Sequence, residues 1–389
     1  MITDTYYLGI DVGSVSTNLV VIDNYDKVIE KLYLKTSGQP IKVLCEGLVL
    51  IGNRLEKITS ICGVGTTGSG RQLAGIIAGA DIVKNEITSH AVAAQKIVHD
   101  VKTVMEIGGQ DSKIIILKNG VVCDFAMNTV CAAGTGSFLD RQAARLGIPI
   151  EEFGGYALRS NSPVRIAGRC AVFAESDMIH KQQAGHSVED IICGLCEGLV
   201  RNYLNNLAKG KKITEPIVFQ GGVAANVGIV AAFEKTLEMK ITIPEYYDVM
   251  GAYGAALIAK DKMLKKSMAR DRTGCTGNRA GMAEDRIDFT ENKADMAGNK
   301  VSFAGNKVED RIGTNIDEKM LEGMERQKET RFRGFKAAEC NYSTKNIECN
   351  GCTNMCEVVE ILSDGDIIAR WGDRCGKWST GGGILEVGG

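Results

Sequence analysis

Apolar runs closed by small polar residues open the chain. Their alternation predicts three strands over residues 5 to 36, YYLGIDVG, TNLVVID and KVIEKLYLKT, joined by turns carrying Gly-Ser and Asn-Tyr-Asp. The period then changes. Ile41, Leu44, Leu48, Ile51 and Leu55 share one face at helical spacing, which predicts a helix over residues 40 to 56. A strand over Ile58 to Val64 runs into Gly65-Thr66-Thr67-Gly68-Ser69-Gly70, a loop that fits a nucleotide or partner contact as well as it fits a plain connection. Asn85 to His90 leads into the helical pattern AVAAQKIV. Asn85 and Glu86 are candidate contacts between two halves of the chain, and the lone His90 reads as a capping or packing residue.

From Thr103 the opening pattern returns. Met105-Glu106-Ile107 leads into Gly108-Gly109-Gln110-Asp111, then a strand over Ile114 to Leu117 and a turn at Lys118-Asn119-Gly120. The earlier copy is Leu8-Gly9-Ile10-Asp11-Val12-Gly13-Ser14-Val15-Ser16-Thr17-Asn18, followed by the strand Leu19 to Ile22. Two equivalent strand-turn-strand units predict an internal duplication. Further on, Ala132 to Leu146 has helix composition, a second helix starts near Cys170, and residues 188 to 208 form an amphipathic helix. Its Cys193 and Cys196 share the face of Ile191, Leu195 and Leu199, so they read as packing. A strand over Pro216 to Gln220 enters the glycine turn Gly221-Gly222-Val223-Ala224, a candidate floor for an adenosine, and a small-residue helix near Met250 to Ile258 closes the domain around Lys260.

Residues 265 to about 330 lose apolar periodicity and repeat short polar pieces (AGNK, EDRI), which predicts a solvated linker. The expected organisation is a first half over 1–102, a second half over 103–264, a linker over 265–330 and a cysteine-rich module over 331–389. Formal net charge is -2, which argues against an electrostatic nucleic-acid binder. No basic start followed by an apolar stretch suggests secretion, and no apolar run is long enough for a membrane span, so the expected location is the cytoplasm. Thirteen cysteines are many for a reducing compartment, and some are better read as metal or cluster ligands than as disulfides.

Candidate chemistry concentrates between Met105 and Leu146. Paired glycines after an apolar strand let backbone N–H groups approach an anion, and Asp111 beside them can hold a divalent cation through its water. A Gly-Gly pair alone is more often a plain turn; the repeat of the unit favours two turns clamping a polyphosphate and Mg2+. Gly134-Thr135-Gly136, costly in a plain helix, makes sense where a phosphate or cluster approaches the backbone. Cys131 and Cys170 each sit where a helix begins, and the positive end of a helix favours the thiolate that binds iron. A 4Fe–4S cluster takes four thiolates, so the simplest completion is a two-fold dimer sharing one cluster. Two structural thiols is the competing reading. In the tail, Cys349, Cys352, Cys356 and Cys375 are the candidate ligands of a second iron–sulfur cluster or zinc.

The motifs LGIDVGSVSTN, MEIGGQDSK, NTVCAAGTGSFLD, GRCAVFAESDM, FQGGVAANVG and GAYGAALIA together make the first 260 positions resemble the ATP-dependent activators of 2-hydroxyacyl-CoA dehydratases, a family that includes the ATPase subunits of benzoyl-CoA reductase. The resemblance implies a duplicated ribonuclease-H-like α/β fold of the actin, sugar-kinase and heat-shock ATPase type, with ATP between the halves. It also implies a homodimer with one 4Fe–4S cluster held by Cys131 and Cys170. Asp11 and Asp111 would organise Mg2+, and Gln110 would position the attacking water. Gly13, Ser14, Ser16, Thr17, Asn18, Gly108, Gly109 and Lys113 would attend the phosphates, with Gly134, Thr135 and Gly136 near them. Gly221, Gly222 and Ala224 would border the adenosine, and Glu175 and Lys181 are weaker candidates on a neighbouring helix. ATP hydrolysis would drive one low-potential electron, supplied by ferredoxin or flavodoxin, into a separate dehydratase or related double-cluster reductase. The tail departs from the simple activators, which end near Lys260.

Two readings from other classes compete. A sugar-type kinase of the same superfold would need a carboxylate base near an acceptor hydroxyl, and would leave Cys131 and Cys170 idle. An ATP-switched scaffold would use only the tail thiols.

Overall fold

The computed structural model describes residues 5–55, 60–128, 130–273 and 330–378. The first half opens with strands β1 (Tyr6–Val12), β2 (Ser16–Ile22) and β3 (Val28–Lys35), then helix α1 (Pro40–Arg54), β4 (Ile61–Thr67), α2 (Arg71–Ala78), β5 (Ile82–Val83) and α3 (Glu86–Ile97). Their sheet has the order β3-β2-β1-β4-β5, antiparallel across the first three strands and parallel across the rest. The second half repeats it. Strands β6 (Thr103–Ile107), β7 (Ser112–Lys118), β8 (Val121–Asn128), β9 (Ile217–Gln220) and β10 (Ile241–Thr242) lie in the order β8-β7-β6-β9-β10 with the same directions. Between β8 and β9 run helices α4 (Gly136–Leu146), α5 (Ile150–Leu158), α6 (Ala171–Gln183) and α7 (Val188–Leu207); α8 (Val227–Leu237) separates β9 from β10, and α9 (Met250–Thr273) follows.

Burial follows layer position. Central β1, β2 and β6 are covered on both faces and read as near-continuous apolar runs, whereas edge strand β3 alternates exposed and half-buried positions. The small-residue helix α9 lies on the first sheet. A Cβ on Gly9 or Gly65 would run into the α9 backbone at Ala252 or Ala255, so hydrogen at those positions is what lets helix and sheet close.

Three sequence expectations change. The strand placed at Ile58 to Val64 is β4, shifted to Ile61–Thr67. The helix expected from Ala132 is broken: Ala132–Gly134 is a single 3-10 turn, Thr135 is extended, and α4 starts only at Gly136. The linker expected from 265 begins inside α9, which continues to Thr273; positions 274–329 lie outside the described residues.

The tail is a 3-10 turn (Phe335–Glu339) and an antiparallel sheet of β11 (Tyr342–Glu348), β12 (Glu357–Ser363) and β13 (Asp366–Trp371), in that order. It packs on the first half of its own chain. Ile361, fully buried, joins the core made by Leu44, Leu48, Ile51 and Ile77, with Phe332 and Phe335 against it. Asp81 ties the connection down, accepting from Arg331 N–H at 2.9 Å and Thr330 Oγ1 at 2.6 Å. Ile361→Ala therefore lowers global stability by about 2–5 kcal/mol in urea unfolding. A change under about 0.5 kcal/mol, as at an open surface, would show that the tail is not part of this core.

Candidate functional site

A cleft of about 1510 Å³ runs between the halves and brings most of the two sequence turns to its walls. The first turn closes β1 onto β2 through Gly13 N–H to Ser16 O at 2.8 Å, which presents Gly13, Ser14 and Ser16 to the cleft. The second closes β6 onto β7 through Gly108 N–H to Asp111 O at 3.0 Å and presents Gly108, Gly109, Gln110 and Asp111. The turns touch. A Cβ on Gly109 would lie 2.6 Å from the Val15 side chain.

Behind the second turn is a charge cluster. Lys113, only 3% exposed, holds Glu86 at 2.8 Å, Glu106 at 3.0 Å and Asp111 at 2.8 Å. Glu106 and Lys113 are cross-strand partners in the β6–β7 register, while Glu86 reaches over from α3 and makes the expected contact between halves. Asn85 instead caps α3, accepting from Thr88 N–H at 2.9 Å. Burial pushes the Asp11 carboxyl up to about 7, with Glu86 and Asp111 adding to the rise against Lys113. Burial likewise raises Glu106 to about 8. Burial also works to raise Glu86, but pairing with Lys113 outweighs it and its carboxyl lies below the usual range. The Lys113 ammonium, opposed by burial, is held far above its ordinary value by Glu106, Glu86 and Asp111. Four carboxylates around one ammonium leave excess negative charge beside a phosphate-type turn, the demand that a hard divalent cation meets.

His90 lies one turn inside α3, and its Nδ1 shares a 2.7 Å hydrogen bond with Gln220 Nε2. Burial and then Lys113 depress it to about 3, so the ring is neutral. It is a packing residue, as the sequence suggests, set against a cleft wall. The Asn18 Oδ1 and Gln220 Oε1 atoms are buried without a protein partner. Asn18 lines the cleft, as do Gly221 and Gly222, and Gly221 takes a positive φ of 87 where a Cβ would meet Ile107 O.

Several residues expected at the nucleotide lie elsewhere. Thr17 is fully buried and bonded at 3.0 Å to Thr36, the residue after β3, off the cleft lining. Gly134, Thr135 and Gly136 are approached by protein: a Cβ on Gly134 would meet the Asn202 side chain, and Gly136 and Ser137 N–H groups donate to Gly108 O and Gly109 O, both at 2.9 Å. The opening amides of α4 are thus spent on the turn itself. Ala224 is buried in a 3-10 turn outside the lining. Glu175 on α6 pairs with Arg145 at the end of α4, and Lys181 sits in the last turn of α6, both away from the cleft. Ser69, from the Gly65–Gly70 loop, also lines the cleft, while Glu106, Arg71 and Gly251 are lining residues the sequence did not single out, although a lone glutamate inside an apolar strand is a signal for the first.

The same turn leads to the thiols. Cys131 precedes the 3-10 turn before α4, not a helix proper, and is placed by Asn128, which accepts from its N–H at 2.9 Å and donates to its O at 2.8 Å. Cys170 is the residue before α6, as expected. Their segments adjoin: Cys131 Sγ lies 3.7 Å from the O of Arg169, the residue before Cys170, and Asn202 on α7 donates to Cys131 Sγ at 3.5 Å and to Gly168 O at 2.5 Å. Both thiols are free and half-buried. Beside them Val130 is 94% exposed, Val172 69% and Phe173 65%. The tail thiols Cys349, Cys352, Cys356 and Cys375 are far along the chain, free, and not gathered as ligands. Among the described residues no helix is long and apolar enough to cross a membrane.

Residues 8–259 match the BadF/BadG/BcrA/BcrD ATPase family. The chain is similar to the (R)-2-hydroxyglutaryl-CoA dehydratase activating ATPase of Acidaminococcus fermentans, 36% identical over 67% of this chain and 99% of that protein. It is also similar to the 2-hydroxyisocaproyl-CoA dehydratase activator of Clostridioides difficile, 33% identical over 66% of this chain and 96% of that one. Among solved structures, the 2-hydroxyisocaproyl-CoA dehydratase activator from Clostridium difficile with bound ADPNP superimposes with a TM-score of 0.61 at 30% identity, covering 71% of this chain and 100% of that chain.

Proposed function

The chain belongs to the BadF/BadG/BcrA/BcrD ATPase family, the enzyme class of acyl-CoA dehydratase activases, and we propose that it couples ATP hydrolysis to delivery of one low-potential electron to a separate 2-hydroxyacyl-CoA dehydratase or related double-cluster reductase. The observation that carries this reading is the short backbone path from the cleft turn Gly108-Gly109 through the start of α4 to Cys131, which itself adjoins Arg169-Cys170.

The donor set fits the groups such an activity needs. Asp11 and Asp111 would hold Mg2+ at the phosphates, backed by Glu86 and Glu106, whose raised or paired carboxyls mark a site short of positive charge. Backbone N–H groups inside the two turns, at Ser14, Val15, Gly109 and Gln110, would cradle phosphates, with Asn18 Oδ1 still to be satisfied. Gln110 would orient the attacking water, and Gly221 and Gly222 would border the adenosine. Cys131 and Cys170 supply two thiolates, half of what a 4Fe–4S cluster takes, and the exposed Val130, Val172 and Phe173 beside them suit a two-fold partner bringing the other half. When bound, that cluster supplies one-electron chemistry, for which ferredoxin or flavodoxin is the donor. Loss of the γ-phosphate would relax the Val15–Gly109 contact, and the Gly108–Gly136 bond would carry the shift toward Cys131.

The test is iron, acid-labile sulfide and solution mass on anaerobically purified Cys349→Ser/Cys352→Ser protein, which removes the tail from the count. About four irons per dimer are expected. A monomer without iron that still hydrolyses ATP overturns the electron-transfer reading.

A further inference from the structure

The tail sheet places its chemistry at one end. The β11–β12 register runs from Tyr342 opposite Ser363 to Glu348 opposite Glu357, so the loop 349–356 projects from the end of the sheet opposite Tyr342. Strand β13 finishes at Trp371 opposite Val359, which brings the segment 372–378 out at that same end. Cys349, Cys352 and Cys356 occupy the first loop and Cys375 the second, in the spacing C-x2-C-x3-C-x18-C. The fifth tail cysteine, Cys340, precedes β11 at the other end of the sheet.

We propose that Cys349, Cys352, Cys356 and Cys375 form a four-thiolate metal site that closes the free end of the tail sheet, holding zinc or an iron–sulfur centre. The ends of the first loop are clamped by Cys349 N–H to Cys356 O at 2.8 Å. The second loop is latched onto the first: Trp378 Nε1 donates to Cys349 Sγ at 3.2 Å, while its backbone N–H donates to Asp373 Oδ2 at 2.9 Å, the carboxylate that Cys375 Sγ faces at 3.8 Å. Backbone and indole N–H groups aimed at sulfur are the outer-shell arrangement that orients a ligating thiolate. Among the described residues no three potential ligands are yet gathered around one point, so the loops draw together as metal binds, as metal-coupled folding requires. The need for a staple is physical. Ile361 is anchored in the first half, but toward the loops Val358 is the fully buried apolar side chain of the sheet, too little to hold that end.

The site is independent of the cleft and of Cys131 and Cys170, and its test is arranged accordingly. The full chain carrying Cys131→Ala/Cys170→Ala is stripped with a chelator and titrated with Co2+. The expected result is thiolate-to-cobalt charge-transfer absorption saturating at about one Co2+ per chain. Adding Cys349→Ser/Cys352→Ser abolishes it, and Trp378→Phe weakens Co2+ binding about tenfold. Metal analysis of the unstripped protein separates the occupants: about one zinc, or about four irons with sulfide, per chain. Absence of the absorption, or its persistence without Cys349 and Cys352, overturns the proposal.

Discussion

Lys113→Met lowers the stability of the Mg2+- and nucleotide-free protein by about 3–5 kcal/mol near neutral pH and abolishes ATP turnover. Methionine fills the lysine stem, so the loss is charge and not volume. Lys113 is 3% exposed and within 3.0 Å of Glu86, Glu106 and Asp111; removing it leaves buried carboxylates uncompensated. The pH dependence gives the mechanism a sign. Burial first of all raises Glu106 from 4.5 to about 8 and Asp11 from 3.8 to about 7. A carboxyl raised on folding binds more protons in the folded state, so stability falls as pH rises from about 4.5 to about 8. Without Lys113 the carboxyls rise further and this slope steepens. The destabilisation is therefore smaller near pH 5, where Glu106 and Asp11 are protonated and the pairing lost is chiefly that with Glu86, than near pH 8.5. Urea unfolding of both proteins at the two pH values reads it directly. An equal loss at both would mean that Lys113 acts by packing, and an intact ATPase would remove the cluster from the phosphate site.

This cluster shows where the sequence was readable. Asp111 and Lys113 stand in a glycine turn and the strand after it; Asp111 is legible from the turn and its repeat, whereas Lys113 is named only through the family resemblance. Glu106 sits between Met105 and Ile107, where apolar neighbours suggest only core; its meaning depends on the β6–β7 register that sets it opposite Lys113. The duplicated sheet was legible because each copy has its own strand periods and turn. The route of α9 was not, since a small-residue helix states that something packs closely without stating that the partners are Gly9 and Gly65, far back in the chain. Gly134 to Gly136 misled for a related reason. Glycines mark close approach, and here what approaches is the Asn202 side chain at Gly134 and the Gly108-Gly109 backbone at Gly136. Thr17 carries the right hydroxyl, but strand alternation turns it to Thr36. The docking of Ile361 onto the first half could not be read across a long polar segment.

Cys131→Ala and Cys170→Ala each remove all iron contributed by this pair while leaving ATP binding unchanged. In a shared cluster every substitution counts twice, so either variant leaves two thiolates of the four required. The cleft is untouched: the Cys131 backbone is placed by Asn128, and neither sulfur lines the nucleotide walls. Phe173→Asp separates the shared site from a site within one chain. Phe173 is 65% exposed at the start of α6, three positions from Cys170, so an aspartate there costs the free chain little and favours its helix N-terminus. Against a two-fold partner, two carboxylates would meet where two rings had packed, and the outcome is a monomer that keeps both cysteines, binds ATP and holds no iron at them. Cys196→Ala is the control, because that thiol is fully buried in the second-half core and its loss lowers stability without changing iron. Iron and sulfide content, solution mass and nucleotide affinity, all measured with the tail thiols Cys349 and Cys352 replaced by serine, decide among these. A monomeric Phe173→Asp protein with full iron would place the cluster within one chain, where Cys131 and Cys170 supply too few thiolates, and the shared-cluster assignment would fall.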